Sequence, residues 1–162
     1  MSATRETTCC FTGHRELPAD KIPEIKKRLE AAVRSLLVRG VRNFVAGGAV
    51  GFDMLAAEVV LGLRCEFPEI KLELALPFPE QAKNWKTEND RETYDRILKQ
   101  ADAVVCVSPE HTARSMMRRN RYLVDSGRYC IAYITSEHSG TANTVNYAKQ
   151  NGLEIINLAA GW

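Results

Sequence analysis

The stretch FVAGGAVGFDML, residues 44–55, sets Gly47, Gly48 and Gly51 within five positions and follows them with Asp53. Glycines permit positive φ and let backbone N–H groups come close to a ligand. An apolar run precedes the loop and a helical pattern follows it, so the loop opens a helix whose N-terminus carries about half a positive charge. That combination suits a phosphate. It is neither the GxGxxG dinucleotide fingerprint nor a Walker A loop, because no Lys-Ser/Thr pair follows. Asp53 would repel a phosphate, but it has two other uses: to cap the helix, or to accept hydrogen bonds from ribose hydroxyls. A tight turn with a capped helix accounts for this loop, taken alone, equally well.

Three further segments carry similar chemistry. Thr12, Gly13, His14 and Arg15 follow one apolar run, PFPEQAKNW ending at Trp85 follows another, and SEHSGTANT, with Gly140 and Thr141, follows a third. Taken singly, His14 or Arg15 reads as a solvated loop residue, and Trp85 reads equally as a core side chain or as a platform for a base. Arg119 is a separate signal. On a 100°-per-residue wheel Met116, Met117, Asn120, Leu123 and Val124 form an inner face, Arg114, Arg118 and Arg121 an outer stripe, and Arg119 the border of the inner face. A cation at a core-side border needs a carboxylate or an anionic ligand beside it.

The elements that would position these residues alternate. Strand-like runs occupy 7–11, 43–46, 70–77, 103–107, 129–135 and 154–158. Helical patterns occupy a segment capped at Asp20 and ended by Gly40, with Ile25, Leu29, Val33, Leu36 and Leu37 on one face, and then 53–64, 88–100, 113–126 and 140–150. Six strands alternating with five helices predict a doubly wound, mostly parallel α/β sheet with helices on both faces. Ligands in such sheets sit beyond the carboxyl ends of the strands, where the strand order reverses. Each of the loops above follows a strand, so all of them belong to one sheet edge.

Composition bounds the alternatives. At 162 residues, with 45% hydrophobic and 26% charged, the chain reads as a single globular domain over 1–162. Twenty-two Lys and Arg balance twenty Asp and Glu to a net +2, which weighs against nucleic acid as a partner. No apolar run approaches a membrane span, and MSATRETTCC has no h-region, so the expected location is the cytoplasm. Cys9, Cys10, Cys65, Cys106 and Cys130 lack CxxC spacing, and His14, His111 and His138 are scattered. The expectation is buried free thiols in a reducing compartment, with no metal and no tightly held cofactor.

Five motifs, FTGHR, GGAVGFDMLAAE, LPFPEQAKNW, RNRYLVD and SGTANTVNYA, resemble in order the YpsA-like branch of the SLOG superfamily, over residues 8–158. That superfamily groups DNA-processing Smf/DprA proteins with LOG "lysine decarboxylase-like" proteins. The resemblance implies a Rossmann-like three-layer α/β/α fold with strand order 3-2-1-4-5-6. It also implies a site for nucleotides or nucleotide-derived molecules, including NAD- or ADP-ribose-related ones, and it allows a homodimer. LOG enzymes cleave a base from a nucleoside monophosphate, using an Arg-Lys pair and a PGGxGTxxE loop with a catalytic Glu. Carried over, the Arg falls on Arg119 and the Lys on Asn120; Gly140 and Thr141 match, but the Glu position is Thr144. A threonine hydroxyl neither takes up a proton at neutral pH nor stabilises an oxocarbenium ion by charge.

The favoured expectation is a nucleotide-class ligand binder or sensor. Phosphates would be held by the Gly47–Gly51 and Gly140–Thr141 turns with Arg15 or Arg119, a ribose by Asp53, and a base by Trp85. A hydrolase of the N-glycosidic bond, with Asp53 or Glu58 as carboxylate and Arg119 beside it, is the second expectation. A DprA-like binder of single-stranded DNA, resting on Arg114, Arg118 and Arg121, is the third.

Overall fold

Along the first strand Cys9 and Phe11 face one way and Cys10 the other, and all three are fully buried. A strand with no wet face must be covered by helices on both sides, and the rest of the chain supplies them. The computed structural model describes residues 4–82, 85, 87–135 and 139–159. It contains β1 (Thr8–Gly13), α1 (Ile22–Val38), β2 (Asn43–Ala46), α2 (Phe52–Leu63), β3 (Lys71–Leu76), α3 (Glu88–Gln100), β4 (Ala103–Cys106), α4 (Ser115–Asp125), β5 (Tyr129–Tyr133), α5 (Gly140–Gln150) and β6 (Glu154–Asn157). The strands form one sheet in which all the neighbouring pairs are parallel. This is the α/β Rossmann-like arrangement that the alternation predicts. Among the described residues no helix is long and apolar enough to cross a membrane.

The two sheet faces have separate cores. Phe11, Phe44, Leu72, Leu74 and Ile131 meet α1, α2 and α3, whereas Cys10, Val45, Ala75, Cys130 and Ala132 meet Leu123 and Val124 of α4 and Val145 and Ala148 of α5. On the first face Phe11 stacks on Phe44 with centroids 6.0 Å apart, and Phe52 on Tyr133 at 6.2 Å. Burying each such side chain contributes about 1.5–3 kcal/mol, and the Phe52–Tyr133 stack fixes the start of α2 against the end of β5. In α1 the face Ile25, Leu29, Val33, Leu36 and Leu37 is buried as its spacing predicts. Asp20 is not its N-cap. It sits in a 3₁₀ turn, Ala19–Lys21, and the helix begins at Ile22 with Pro23 in its first turn. A proline there has no N–H to satisfy, which lessens the need for a cap.

The strand order is 4-3-2-1-5-6, not the 3-2-1-4-5-6 that the resemblance implied. The physical reason lies in what each strand can bury. β5, YCIAY, is buried at four of its five positions and pairs with β1 along its whole length, so it belongs in the centre. β4, AVVC, is exposed or half-exposed throughout and fits only an edge, beside β3. The twenty-two residues of 107–128, carrying α4, then make the long crossover back over the sheet to β5. The edge position of β4 also corrects the thiol expectation. Cys9, Cys10 and Cys130 are buried, but Cys106 and Cys65 are exposed.

Candidate functional site

The chain lays β1 to β4 down in one direction and β5 and β6 in the other, so the order reverses between β1 and β5. At that point, beyond the carboxyl ends of the two strands, lies a cavity of about 310 Å³. Its walls come from the end of β1 and the loop after it, from the loop after β2 with the start of α2, from α4 and from the start of α5. Thr12 and Gly13 end β1 and His14 and Arg15 follow it, Ala49 and Asp53 follow β2, Arg119 and Asn120 come from α4, and Gly140, Thr141 and Thr144 from α5. The structure therefore brings together nine of the residues singled out in the sequence: Thr12, Gly13, His14, Arg15, Asp53, Arg119, Asn120, Gly140 and Thr141.

Gly47 organises the charged part of the cavity without lining it. Its carbonyl accepts hydrogen bonds from Arg119 Nη1 at 2.7 Å and from Gln81 Nε2 at 3.3 Å. A Cβ on Gly47 would collide with the Arg119 guanidinium and lie 2.7 Å from Asp53 Oδ2. Glycine is thus needed here so that Arg119 and Asp53 can close on the same backbone unit. Gly51 is the N-cap of α2, with φ of +84°, and a Cβ would strike the Arg15 carbonyl. Asp53 does not cap α2. It reaches back over the loop, and Oδ2 accepts from the Ala49 N–H at 3.4 Å.

Gly48 has φ of +73° but faces away from the cavity, toward Gln81, Leu76 and Tyr94. Its glycine requirement is therefore a matter of folding. Trp85 and Glu58 are also elsewhere. They line a separate groove of about 770 Å³ between α2 and α3, which among the described residues shares only Arg15 with the cavity. Trp85 packs edge-on against Tyr94 with centroids 4.9 Å apart, and its carbonyl accepts from Arg91. Glu58 pairs with Arg96 at 3.6 Å. Met117, expected on the inner face of α4, is 45% exposed, while Arg114, Arg118 and Arg121 are exposed as the wheel predicts. His138 lies outside the described residues.

Burial sets the electrostatics. Arg119 is 4% exposed and Asp53 is 7% exposed. Desolvation pushes the Arg119 guanidinium below its ordinary proton affinity, and Asp53 opposes that shift. Desolvation likewise pushes the Asp53 carboxyl above its ordinary value, against the pull of Arg119 and of the Ala49 N–H. Arg119 donates to two neutral oxygens, the Gly47 carbonyl and Asn120 Oδ1, the latter from Nε at 3.0 Å. Around the cavity, among the described residues, stand two guanidiniums, Arg15 and Arg119, against one carboxylate, Asp53. The excess is one positive charge in a partly dry site, where charge counts for more than in water.

The α5 start adds dipole to charge. Ser139 Oγ accepts from the Ala142 N–H at 3.1 Å and caps the helix, and Gly140 and Thr141 open into the cavity. Thr144 is buried and its hydroxyl donates to the Gly140 carbonyl at 3.0 Å, so it serves the helix. Burial lowers the proton affinity of His14, and its Nε2 accepts from the Thr135 N–H at 2.9 Å. Among the described residues no three His, Cys, Asp or Glu side chains are grouped to hold a metal ion. Gln81 is the contributor that sequence reasoning missed. Nothing in the mixed post-strand run PFPEQAKNW set it apart, and it is 9% exposed and shared between Gly47 and Tyr94.

Comparison with known proteins places this geometry. The chain is 32% identical over 143 residues to the SPbeta prophage-derived protein YoqJ of Bacillus subtilis strain 168, covering 80% of this chain and 83% of that one. It is 32% identical over 136 residues to a UPF0398 protein of Bacillus cereus strain G9842, covering 82% and 73%. Among solved structures, DNA processing protein A of Streptococcus pneumoniae superposes with a TM-score of 0.66 at 17% identity, over 93% of this chain. The chain spans only 49% of that protein. DNA processing protein A of Helicobacter pylori, described by its single-stranded DNA binding mode, superposes with a TM-score of 0.63 at 18% identity, over 94% of this chain and 64% of that one. At such identities the likeness is one of fold. The YpsA family, described as the YspA SLOG family, matches residues 9–157, nearly the whole chain, and the chain is a member of it.

Proposed function

We propose that the cavity between β1 and β5 binds a small anionic ligand of the nucleotide class, and that the protein acts as a cytoplasmic single-domain binder or sensor of it. The observation that carries the reading is the buried Arg119. It shares a 310 Å³ cavity with Arg15, with the capped start of α5 and with a single carboxylate among the described lining residues. A phosphate against Arg119, Arg15 and the N–H groups of Gly140 and Thr141 neutralises that excess charge. Asp53, beside Arg119, is left to accept hydrogen bonds from ribose hydroxyls. The volume is at the low end for small-molecule sites, which favours a phosphoribosyl unit in this cavity over a whole dinucleotide.

The test is calorimetric titration of inorganic phosphate and AMP into the wild type and Arg119→Gln. Losing a charge-assisted hydrogen bond costs about 1.5–3 kcal/mol, so the variant should bind about tenfold to a hundredfold more weakly. It should remain folded, by its melting temperature. A wild type that binds neither probe at millimolar concentration refutes the reading. The hydrolase alternative narrows to Asp53, since Glu58 is in another groove and Thr144 has no carboxylate. Release of free adenine from AMP, abolished in Asp53→Asn, would establish it. Single-stranded DNA is the competing partner. It draws on exposed Arg114, Arg118 and Arg121 and on the fold shared with DNA processing protein A. It requires binding that weakens steeply with salt.

A further inference from the structure

A second cavity adjoins the first. Between α4 and α5 runs a cleft of about 480 Å³ that shares Met116, Asn120, Gly140 and Thr144 with the anion cavity. Four common residues place the two spaces side by side. The remaining floor of the cleft is of another kind: Ala113, Met117, Tyr147, Arg121 and Asn143. Among the described lining residues it has no carboxylate.

The chemistry of that floor is specific. The Tyr147 ring is fixed, because Oη donates to Asp125 Oδ1 at 3.0 Å. The Arg121 guanidinium lies over the ring, 5.4 Å from its centroid. A planar cation against an aromatic ring makes a stacking platform for a further flat group. Met116 and Met117 add polarizable thioethers, which adapt to an aromatic edge. Asn120 and Asn143 bring two carboxamides that supply donors and acceptors, and Asn120 is oriented by Arg119 Nε. Met117 is one of the few large apolar side chains that are more than a third exposed.

We propose that the α4–α5 cleft is the subsite for the flat aromatic part of the ligand, a nucleobase, whose phosphate end occupies the cavity beside Arg119. This rests on the anion-binding reading above and adds where the rest of the molecule goes. The rival position is the groove that contains Trp85. Among the described residues that groove shares only Arg15 with the cavity, and its lining includes Glu16, Glu58 and Asp90. Glu16 and Asp90 repel a phosphorylated ligand there and Glu58 is already paired with Arg96, whereas the α4–α5 cleft offers it Arg121.

The experiment compares AMP and CMP with ribose 5-phosphate, which lacks the base, in calorimetric titrations of the wild type, Tyr147→Ala, Met117→Ala and Trp85→Ala. Met117 is exposed, so its variant keeps the fold if Tyr147→Ala does not. Stacking one base on a protein platform is worth about 1–3 kcal/mol, so the wild type should bind the nucleotides about tenfold or more tighter than ribose 5-phosphate. Tyr147→Ala should erase most of that difference and Met117→Ala part of it, with ribose 5-phosphate unaffected in both. Trp85→Ala should change nothing. Equal affinity for the three probes in the wild type overturns the base subsite while leaving the anion cavity standing, and loss of AMP binding in Trp85→Ala assigns the base to the other groove. A wild type that ignores all three probes removes both readings. A dimer that Met117→Asp dissociates, with AMP affinity unchanged, gives the face to a second subunit and overturns the proposal.

Discussion

Asp53 lies in the first turn of α2, where the helix dipole ordinarily welcomes a carboxylate. Burial outweighs that welcome, and its proton affinity is raised. The sign of the consequence follows from linkage. The folded state holds the Asp53 proton more tightly than the unfolded chain, so stability is lost as the pH rises from the unfolded value through the folded one. Below the ordinary carboxylate range, about 3.9, both states are protonated and the cost vanishes. Asp53→Asn should therefore melt relatively higher than the wild type as pH rises from about 4 through that window, and the gap should level off above it. Each kcal/mol of the gap is read as roughly 2–4 °C for a chain of this size. Calorimetric melts of both proteins at several pH values check this, and a gap independent of pH would show that Asp53 carries no such cost. The charge logic of this residue was readable beforehand only as a list of uses. The sequence placed Asp53 after the glycines, but its bond back to the Ala49 N–H, instead of forward into the helix, depends on a loop path that local patterning does not specify.

At the scale of elements, two glycines that look alike in sequence have different duties. Gly51 joins the start of α2 to the loop after β1, where φ of +84° and the Arg15 carbonyl leave no room for a side chain. Gly140 opens α5 with nothing within 4 Å of where a Cβ would stand. Gly51→Ala should cost about 3 kcal/mol or more, and Gly140→Ala should be neutral or stabilising by less than about 1 kcal/mol. Chemical denaturation of the two variants tests the pair, and equal losses would contradict the geometry. The helices from Glu88 and from Gly140 begin and end where their patterns predict, because Thr87 and Ser139 cap them locally. The order of the strands was not legible in the same way. An apolar run such as AVVC reads as a core strand, and only the competition between β4 and β5 for the place beside β1 sends it to the edge. The same limit applies to Gly48 and Trp85. Both follow strands, but which side of a loop meets the cavity is set by the helices that pack behind it, here α3 through Gln81 and Tyr94.

For the molecule as a whole, the partition between core and surface can be read from its five thiols. Cys65 and Cys106 are exposed, and Cys9, Cys10 and Cys130 are buried. Burial also raises the proton affinity of Cys9, and a hydrogen bond with Cys130 together with burial raises that of Cys10, which removes their nucleophilic thiolate form. A thiol reagent should thus modify two cysteines quickly in the native protein and the other three only at the rate of global unfolding. Mass spectrometry of modified peptides would count them, and rapid labelling of Cys10 or Cys130 would mean that the β1–β5 seam opens. That seam has a further consequence, for the course of synthesis. β1 is made before the other described strands of the sheet, but its partner on one side is β5, more than a hundred residues downstream. While the ribosome is still adding α3 and β4, the nascent chain can pair β1 only with β2 and must carry the other edge of β1, with Cys10 and Phe11, unpaired. Contacts this distant in sequence form late and slowly, and an unpaired apolar edge is a template for aggregation in the meantime. The anion cavity straddles the same seam, so it cannot exist, even in part, before the last third of the chain has been made.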